Sequence, residues 1–138
     1  MNWLARREHS QAELREKLAA REFEPEIISL TVEKLASEGL VSDERFAEAF
    51  VAARMRKGQG PVRIRAELKK RGVGAELVQL HVYDAGHDWV ALARDVRRKK
   101  FGETMPAEFK DKAKQMRFLE YRGFFTEQIQ AAVGEDGL

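Results

Sequence analysis

Cysteine is absent from all 138 residues, and histidine occurs only three times, at His9, His81 and His87. The first absence excludes disulfides and thiolate metal sites and suits a reducing compartment. The second leaves little for an imidazole shell. His81, Asp84, His87 and Asp88 are close in sequence, but Gly86 interrupts a helix between them and no further His or Cys completes a closed set. No apolar run approaches the roughly 18 residues of a membrane span, and the N-terminus lacks the apolar core of a secretory signal. The expectation is a cytoplasmic protein with no membrane role. Neither a phosphate-binding G-x-x-x-x-G-K-[ST] loop nor a G-x-S-x-G elbow occurs. Carboxylates fall at capping and ion-pairing positions, so catalysis has no visible carrier. Neither a metal nor another cofactor is expected.

What is present is charge, unevenly spread. Hydrophobic residues make up 43% and charged residues 35%, the balance of one folded domain or a few small units with a real core. The formal net charge of +2 conceals a partition: residues 1–53 carry −4, residues 54–100 carry +8 and residues 101–138 carry −2. Within residues 54–73, RMRKGQGPVRIRAELKKRGV, eight cations (Arg54, Arg56, Lys57, Arg63, Arg65, Lys69, Lys70, Arg71) meet one acid, Glu67. The cations of such a window are not balanced by i,i+4 acids as on an ordinary solvated helix face. It suits a polyanion or an acidic protein surface.

The periodicity is helical throughout. Residues 4–8 read as a short helix. Ser10 and Glu13 form a capping box that opens a helix with Leu14 and Leu18, running to about Arg21. Pro25 opens a second helix with Ile28, Val32 and Leu35, closing at Gly39. Ser42 starts a third, with Phe46, Ala49, Phe50 and Ala53 as its expected apolar face. An elbow follows, in which Gly58 can end one helix, Gly60 enters the turn and Pro61 takes the first position of the next. Ile64 and Leu68 line that helix, Leu77, Val78 and Val82 the next, and Trp89, Leu92, Ala93 and Val96 one ending in Arg97, Arg98, Lys99 and Lys100. Pro106 is expected to open a helix with Phe109, Ala113 and Met116, and Ile129, Ala132 and Val133 mark a last one. The aromatics Phe46, Phe50, Trp89 and Phe118 keep this spacing, which favours core packing over base stacking. No segment alternates with period two, so the fold class is all-α.

A weak internal repeat underlies these helices. Leu18, Leu68 and Leu119 are each followed by Arg21, Arg71 and Arg122, then by Phe23, Val73 and Phe124. The expectation is tandem three-helix repeats in an elongated, curved array, divided into residues 1–58, a basic module 59–102, and 103–138 with its last helix short or missing.

The run VSDERFAEAFVAARMRKGQGPVRIRAELKKRGV resembles the signature of the RecX family, regulators of the bacterial RecA recombinase. The matching positions are Asp43, Arg45, Phe46, Ala47, Arg54, Gly58, Gly60, Pro61, Ile64, Glu67, Leu68, Gly72 and Val73. LARREHSQAELREKL and FLEYRGFFTEQI resemble that family's first and last modules. The resemblance implies a non-enzymatic protein of tandem three-helix repeats. It implies binding in the groove of the RecA filament on single-stranded DNA, with inhibition of filament growth, ATP hydrolysis, strand exchange and repressor cleavage. The expected contacts to RecA or DNA are Arg54, Arg56, Lys57, Arg63, Arg65, Lys69, Lys70, Arg71, Arg97, Arg98, Lys99 and Lys100. Gly58, Gly60 and Pro61 form the module junction, and the protein is expected to act as a monomer. The alternative is a stand-alone helix-turn-helix-like DNA-binding regulator, against which stands the spread of cations over several helices.

Overall fold

The computed structural model describes residues 7–134. Among these the regular structure is helical: α1 (Gln11–Ala20), α2 (Pro25–Ser37), α3 (Asp43–Arg56), α4 (Pro61–Lys70), α5 (Ala75–Val78), α6 (Trp89–Phe101), α7 (Phe109–Tyr121) and α8 (Thr126–Ala132). After α5 the chain widens into a π-helical turn, Gln79–Tyr83, closed by a bond of 3.0 Å from the Asp84 N–H to the Gln79 carbonyl. Of the expected helix at 4–8, residues 4–6 lie outside the described region, and Arg7 and Glu8 are not helical.

The caps follow the sequence closely. Ser10 accepts from the Glu13 N–H while Glu13 accepts from the Ser10 N–H, completing the capping box. Ser42 and Asp88 cap α3 and α6 in the same sense. Pro61 occupies the first turn of α4 as expected. Pro106 does not start α7, which begins at Phe109 after a Glu108 cap.

Two apolar cores result. Leu14, Ile28, Val32 and Val41 close a small one between α1 and α2. A continuous one runs from Phe46 to Val133, with Ile64, Leu68, Val82 and Leu119 wholly buried. Helix α3 packs on α4 and α5, and α6 on α7 and α8. The triplets are therefore α3–α4–α5 and α6–α7–α8, one helix out of step with the expected divisions at 58 and 102. The pair α1–α2 stands alone among the described residues. The reason lies in the repeat itself: its Leu–Arg–Phe/Val signature sits at the exit of one helix of each unit, so it fixes the period but not where a unit begins.

Two helix faces match expectation only in part, with Phe50 and Met116 packed against the main core as expected. Helix α3 buries Phe46, Ala47 and Val51, leaving Ala49 exposed. Helix α7 buries Gln115 and Leu119, while Phe109 is 86% exposed.

The repeat signature becomes a joint. The Val73 and Phe124 N–H groups donate to the Leu68 and Leu119 carbonyls, and Phe23 does the same to Leu18. Each exit turn needs a left-handed residue, supplied by Gly72, Gly123 and, in the first unit, by Glu22 at φ 64°. Into two of these turns the start of another helix is seated. The Gly60 N–H donates to the Arg122 carbonyl at 2.8 Å and the Val62 N–H to the Gly123 carbonyl at 2.9 Å. Likewise the Ser10 hydroxyl donates to the Arg71 carbonyl at 2.8 Å. Helices α1, α4 and α7 are thus chained head to tail, N-terminal donors meeting C-terminal acceptors that a helix leaves unsatisfied.

The two joints differ in chemistry. At α4–α7 the backbones meet so closely that a Cβ on Gly60 would lie 2.5 Å from the Gly123 carbonyl. At α1–α4 the approach is also close, Ala12 abutting Gly72, but polar contacts to α3 and α4 surround it. Glu13 accepts from Arg7 and at 2.7 Å from Arg71, the Gln11 N–H donates to Asp43 at 2.8 Å, and Glu8 pairs with Arg45. Burial pushes the Glu13 carboxyl up, but hydrogen bonds from Arg7, the Ser10 N–H and Arg71 together outweigh it and hold it below 4.5. His9 is 1% exposed; its Nδ1–H points at the Arg7 carbonyl, and Nε2 has no partner among the described residues. Burial, then the Arg7 charge, keeps its pKa below 6.5.

Gly60→Ala should cost about 1–3 kcal/mol of unfolding free energy by overpacking, read by urea denaturation. Gly74→Ala, where a Cβ meets nothing within 4 Å, should change little. Equal effects would contradict the close approach. The first joint should be acid-labile. As pH falls through 6.5, His9 protonates in the unfolded chain before the folded one, so stability drops. The Glu13 contribution is complete above 4.5 and is lost as pH falls through its lower folded value. Thermal melts of His9→Phe should show a flatter dependence on pH between neutrality and about pH 5 than the parent chain, and an unchanged slope would count against the assignment.

Candidate interaction surface

The twelve cations singled out in the sequence do not share one surface. Three hold the fold together. Arg97 is 4% exposed and donates to the Gly102 and Thr104 carbonyls and to Gln115, tying the loop after α6 to α7. It is therefore not a surface contact, and its burial is what a residue-by-residue charge count cannot see. Arg71 bridges Glu13 and Glu67 and lies over the Phe50 ring at 5.3 Å. Arg54 donates to Gln59, approaches Glu67 at 3.9 Å and covers the same ring. Both guanidiniums are half-buried and paired.

A second group follows α4. Arg65 donates to the Tyr83 hydroxyl at 3.0 Å and sits over Phe125, while Arg63 lies over Tyr121. Lys69 and Lys70 are exposed at the end of the helix, and their side chains make no ion pair with the acids of α4 or α1, which Arg71 and Arg54 take up. The helix thus offers two guanidiniums held on aromatic rings and two exposed ammoniums, fanned around its surface.

The third group joins segments far apart in sequence. Arg56 and Lys57, where α3 ends, face Lys99 and Lys100, where α6 ends, across a cleft of about 720 Å³. Arg122 completes the rim. Its guanidinium donates to the Lys57 carbonyl at 2.8 Å and stands 5.3 Å from the centre of the Phe118 ring. Met55, Leu92, Val96 and Phe118 form the floor. One carboxylate, Asp95, enters the cleft, and it is already paired with Arg98 and Lys99. Arg98 is turned toward Asp95 and Glu103 and lies beside the cleft, not within its lining.

Arg122 is the member that sequence reasoning did not place at the surface. The signal for it lies in the repeat, where it is the third arginine, at the position of Arg21 and Arg71. Gly58, Gly60 and Pro61, expected at a module junction, are buried where α3 hands over to α4 and where α4 meets the exit of α7. Three members of the histidine cluster have local structural contacts: His87 Nε2 lies 3.0 Å from the His81 carbonyl, Asp88 caps α6 and Asp84 accepts from Gln79, while the buried His81 Nε2 has no partner among the described residues. No group of three or more potential metal ligands occurs among the described residues. No described helix is long and apolar enough to cross a membrane.

Comparison with known proteins matches three family models, described as the first, second and third three-helix domains of RecX, at residues 1–35, 42–80 and 88–133. The second and third ranges coincide with the packed triplets α3–α4–α5 and α6–α7–α8. The chain is 46% identical over 129 residues to the "Regulatory protein RecX" of Halorhodospira halophila, covering 94% of this chain and 80% of the relative. It is 42% identical over 138 residues to that of Pseudomonas fluorescens, covering all of this chain and 89% of the relative. The crystal structure of RecX from Lactobacillus salivarius has the same fold, with a TM-score of 0.80 at 20% identity over 97% of this chain and 89% of that one.

The division of labour among the cations is open to measurement. Arg71→Ala strips Glu13 of a partner in a half-buried site and should cost about 1–3 kcal/mol of unfolding free energy. Lys69→Ala with Lys70→Ala should stay within about 0.5 kcal/mol per site. Comparable destabilisation in the two variants would show that the sorting into internal and free cations is wrong.

Proposed function

The chain belongs to the RecX family, and from that premise we propose that it binds the RecA filament on single-stranded DNA and inhibits its recombinase, ATPase and coprotease activities. The observation that carries this reading is the convergence of Arg56 and Lys57 with Lys99, Lys100 and Arg122 on one cleft, beside the cationic face of α4. Several cations gathered at helix ends suit an extended acidic assembly better than one small ligand. They come from α3, α4, α6 and the exit of α7, whereas a helix-turn-helix regulator concentrates its base-reading groups on one recognition helix. The relatives are named as regulatory proteins, which accords with action by binding, without a catalytic step of its own. In this reading the protein works as a monomer in the cytoplasm, with direct contacts to RecA, to single-stranded DNA or to both.

The test is ATP hydrolysis by RecA on single-stranded DNA, titrated with this protein at well below one copy per recombinase. Inhibition at such ratios is the expected result, and none even at excess would refute the reading. Neutralising Arg63, Arg65, Lys69 and Lys70 together should weaken filament binding and reduce its salt slope, by about 0.7 for each single-strand phosphate that the variant no longer neutralises.

A further inference from the structure

We propose that the cleft between α3, α6 and α7 docks an acidic peptide segment carrying apolar side chains, which makes it the protein-recognising part of the basic surface. The proposal rests on the filament reading above, in assigning the peptide to a protein partner.

Charge favours an anionic occupant. Arg56, Lys57, Lys99, Lys100 and Arg122 outnumber Asp95, which is already occupied by Arg98 and Lys99. The cleft also receives the C-terminal ends of α3 and α6, each worth roughly half a negative charge. A clear positive surplus survives both. Asp95 is the one carboxylate among the residues that line the cleft.

Backbone polarity then separates two kinds of anion. Phosphate sites are built from main-chain N–H groups at helix N-termini or in nests. Here the helix ends are acceptor ends, and the Gly58 N–H is already donated to the Met55 carbonyl at 2.8 Å. The donors that remain are long side chains from three helix ends, with Lys99 shared with Asp95 and Arg122 anchored on the Lys57 carbonyl. They match carboxylates dispersed along a peptide, not phosphates at fixed spacing that require a preformed cradle.

The floor points the same way. Met55, Leu92 and Phe118 are half-buried at the edge of the main core and exposed to the cleft, which suits aliphatic anchors. A nucleobase would find no vacant place on Phe118, because Lys100 stands 5.5 Å and Arg122 5.3 Å from its ring centre and Phe101 meets it edge-on at 5.4 Å. It would have to displace a cation in order to stack. An apolar floor ringed by cations is the arrangement that favours an acidic amphipathic peptide.

Fluorescence anisotropy on the full chain tests this with three labelled probes: a short Asp/Glu peptide bearing two leucines, the same peptide with serines in their place, and an oligothymidylate. The leucine peptide should bind, the serine peptide about tenfold more weakly, and Lys57→Glu with Lys100→Glu should weaken the leucine peptide by at least about tenfold. Arg63→Glu with Arg65→Glu should spare it. Both double variants are checked for parental helicity by circular dichroism. Three results would overturn the proposal: no binding of the leucine peptide, indifference to the leucines, or an oligothymidylate that displaces the peptide and depends on Lys57 and Lys100. If wild-type protein inhibits RecA ATP hydrolysis and the peptide still fails, the cleft proposal falls alone. Failure of the ATPase assay itself removes the filament reading.

Discussion

A helix leaves donors unsatisfied at its start and acceptors unsatisfied at its end, and this fold meets both needs with one contact. The first turn of α4 has no side-chain cap, since Gly60 occupies the cap position. Its N–H groups are instead received by the Arg122 and Gly123 carbonyls at the end of α7. Only glycine permits the approach, because a Cβ at Gly60 or at Gly123 would collide with the facing segment of the joint. Opposed partial charges of two helix dipoles reinforce the bonds. The α1–α4 joint repeats the geometry with a serine cap and surrounds it with ion pairs. Residues 43–133 thus share one continuous apolar core, to which the first unit is attached through ion pairs, hydrogen bonds and the contact of Ala12 with Gly72.

The functional surface depends on that core. Arg56 and Lys57 lie more than forty residues from Lys99 and Lys100, and they come to one cleft because the turn after α3 meets the second triplet, Gly58 lying against Val96 and Arg122 bonding the Lys57 carbonyl. Arg122 links the two requirements directly. Its carbonyl receives Gly60 at the joint while its guanidinium holds the Lys57 carbonyl and overhangs Phe118. A change that opens the joint therefore also spreads the cations. Cations tied up in the fold, Arg54, Arg71 and Arg97, are the half-buried or buried ones, where an unpaired charge would be too costly.

Local chemistry is readable in the sequence wherever one or two residues decide the outcome. The Ser10–Glu13 capping box, Pro61 at the start of α4 and the glycine elbow are visible because each satisfies a backbone group within a few positions. The RecX resemblance rests on that same elbow. What depends on distant packing is not visible. The repeat has a period without a phase. The buried face of α3 escapes the pattern because Phe46 begins both an inward stripe with Ala47 and Val51 and an outward one with Ala49 and Ala53. Pro106 resembles a helix start, yet Arg97 reaches the carbonyls around it and keeps that stretch as a loop. Which cations remain free cannot be read from a charge count: Glu67 lies at i,i+4 to Arg71, but Glu13 becomes its partner only once the units are assembled.

The most direct test is amide hydrogen exchange, followed by NMR, at Gly60 and Val62. Both N–H groups belong to the start of α4, where no intrahelical acceptor exists, so any protection reports the joint with α7 alone. If the joint holds, exchange at these two amides is slowed to an extent approaching that of core amides such as Leu68. Exchange at the rate of an unfolded peptide would show that α4 and α7 are not held head to tail, and the cleft built upon that joint would have no fixed shape.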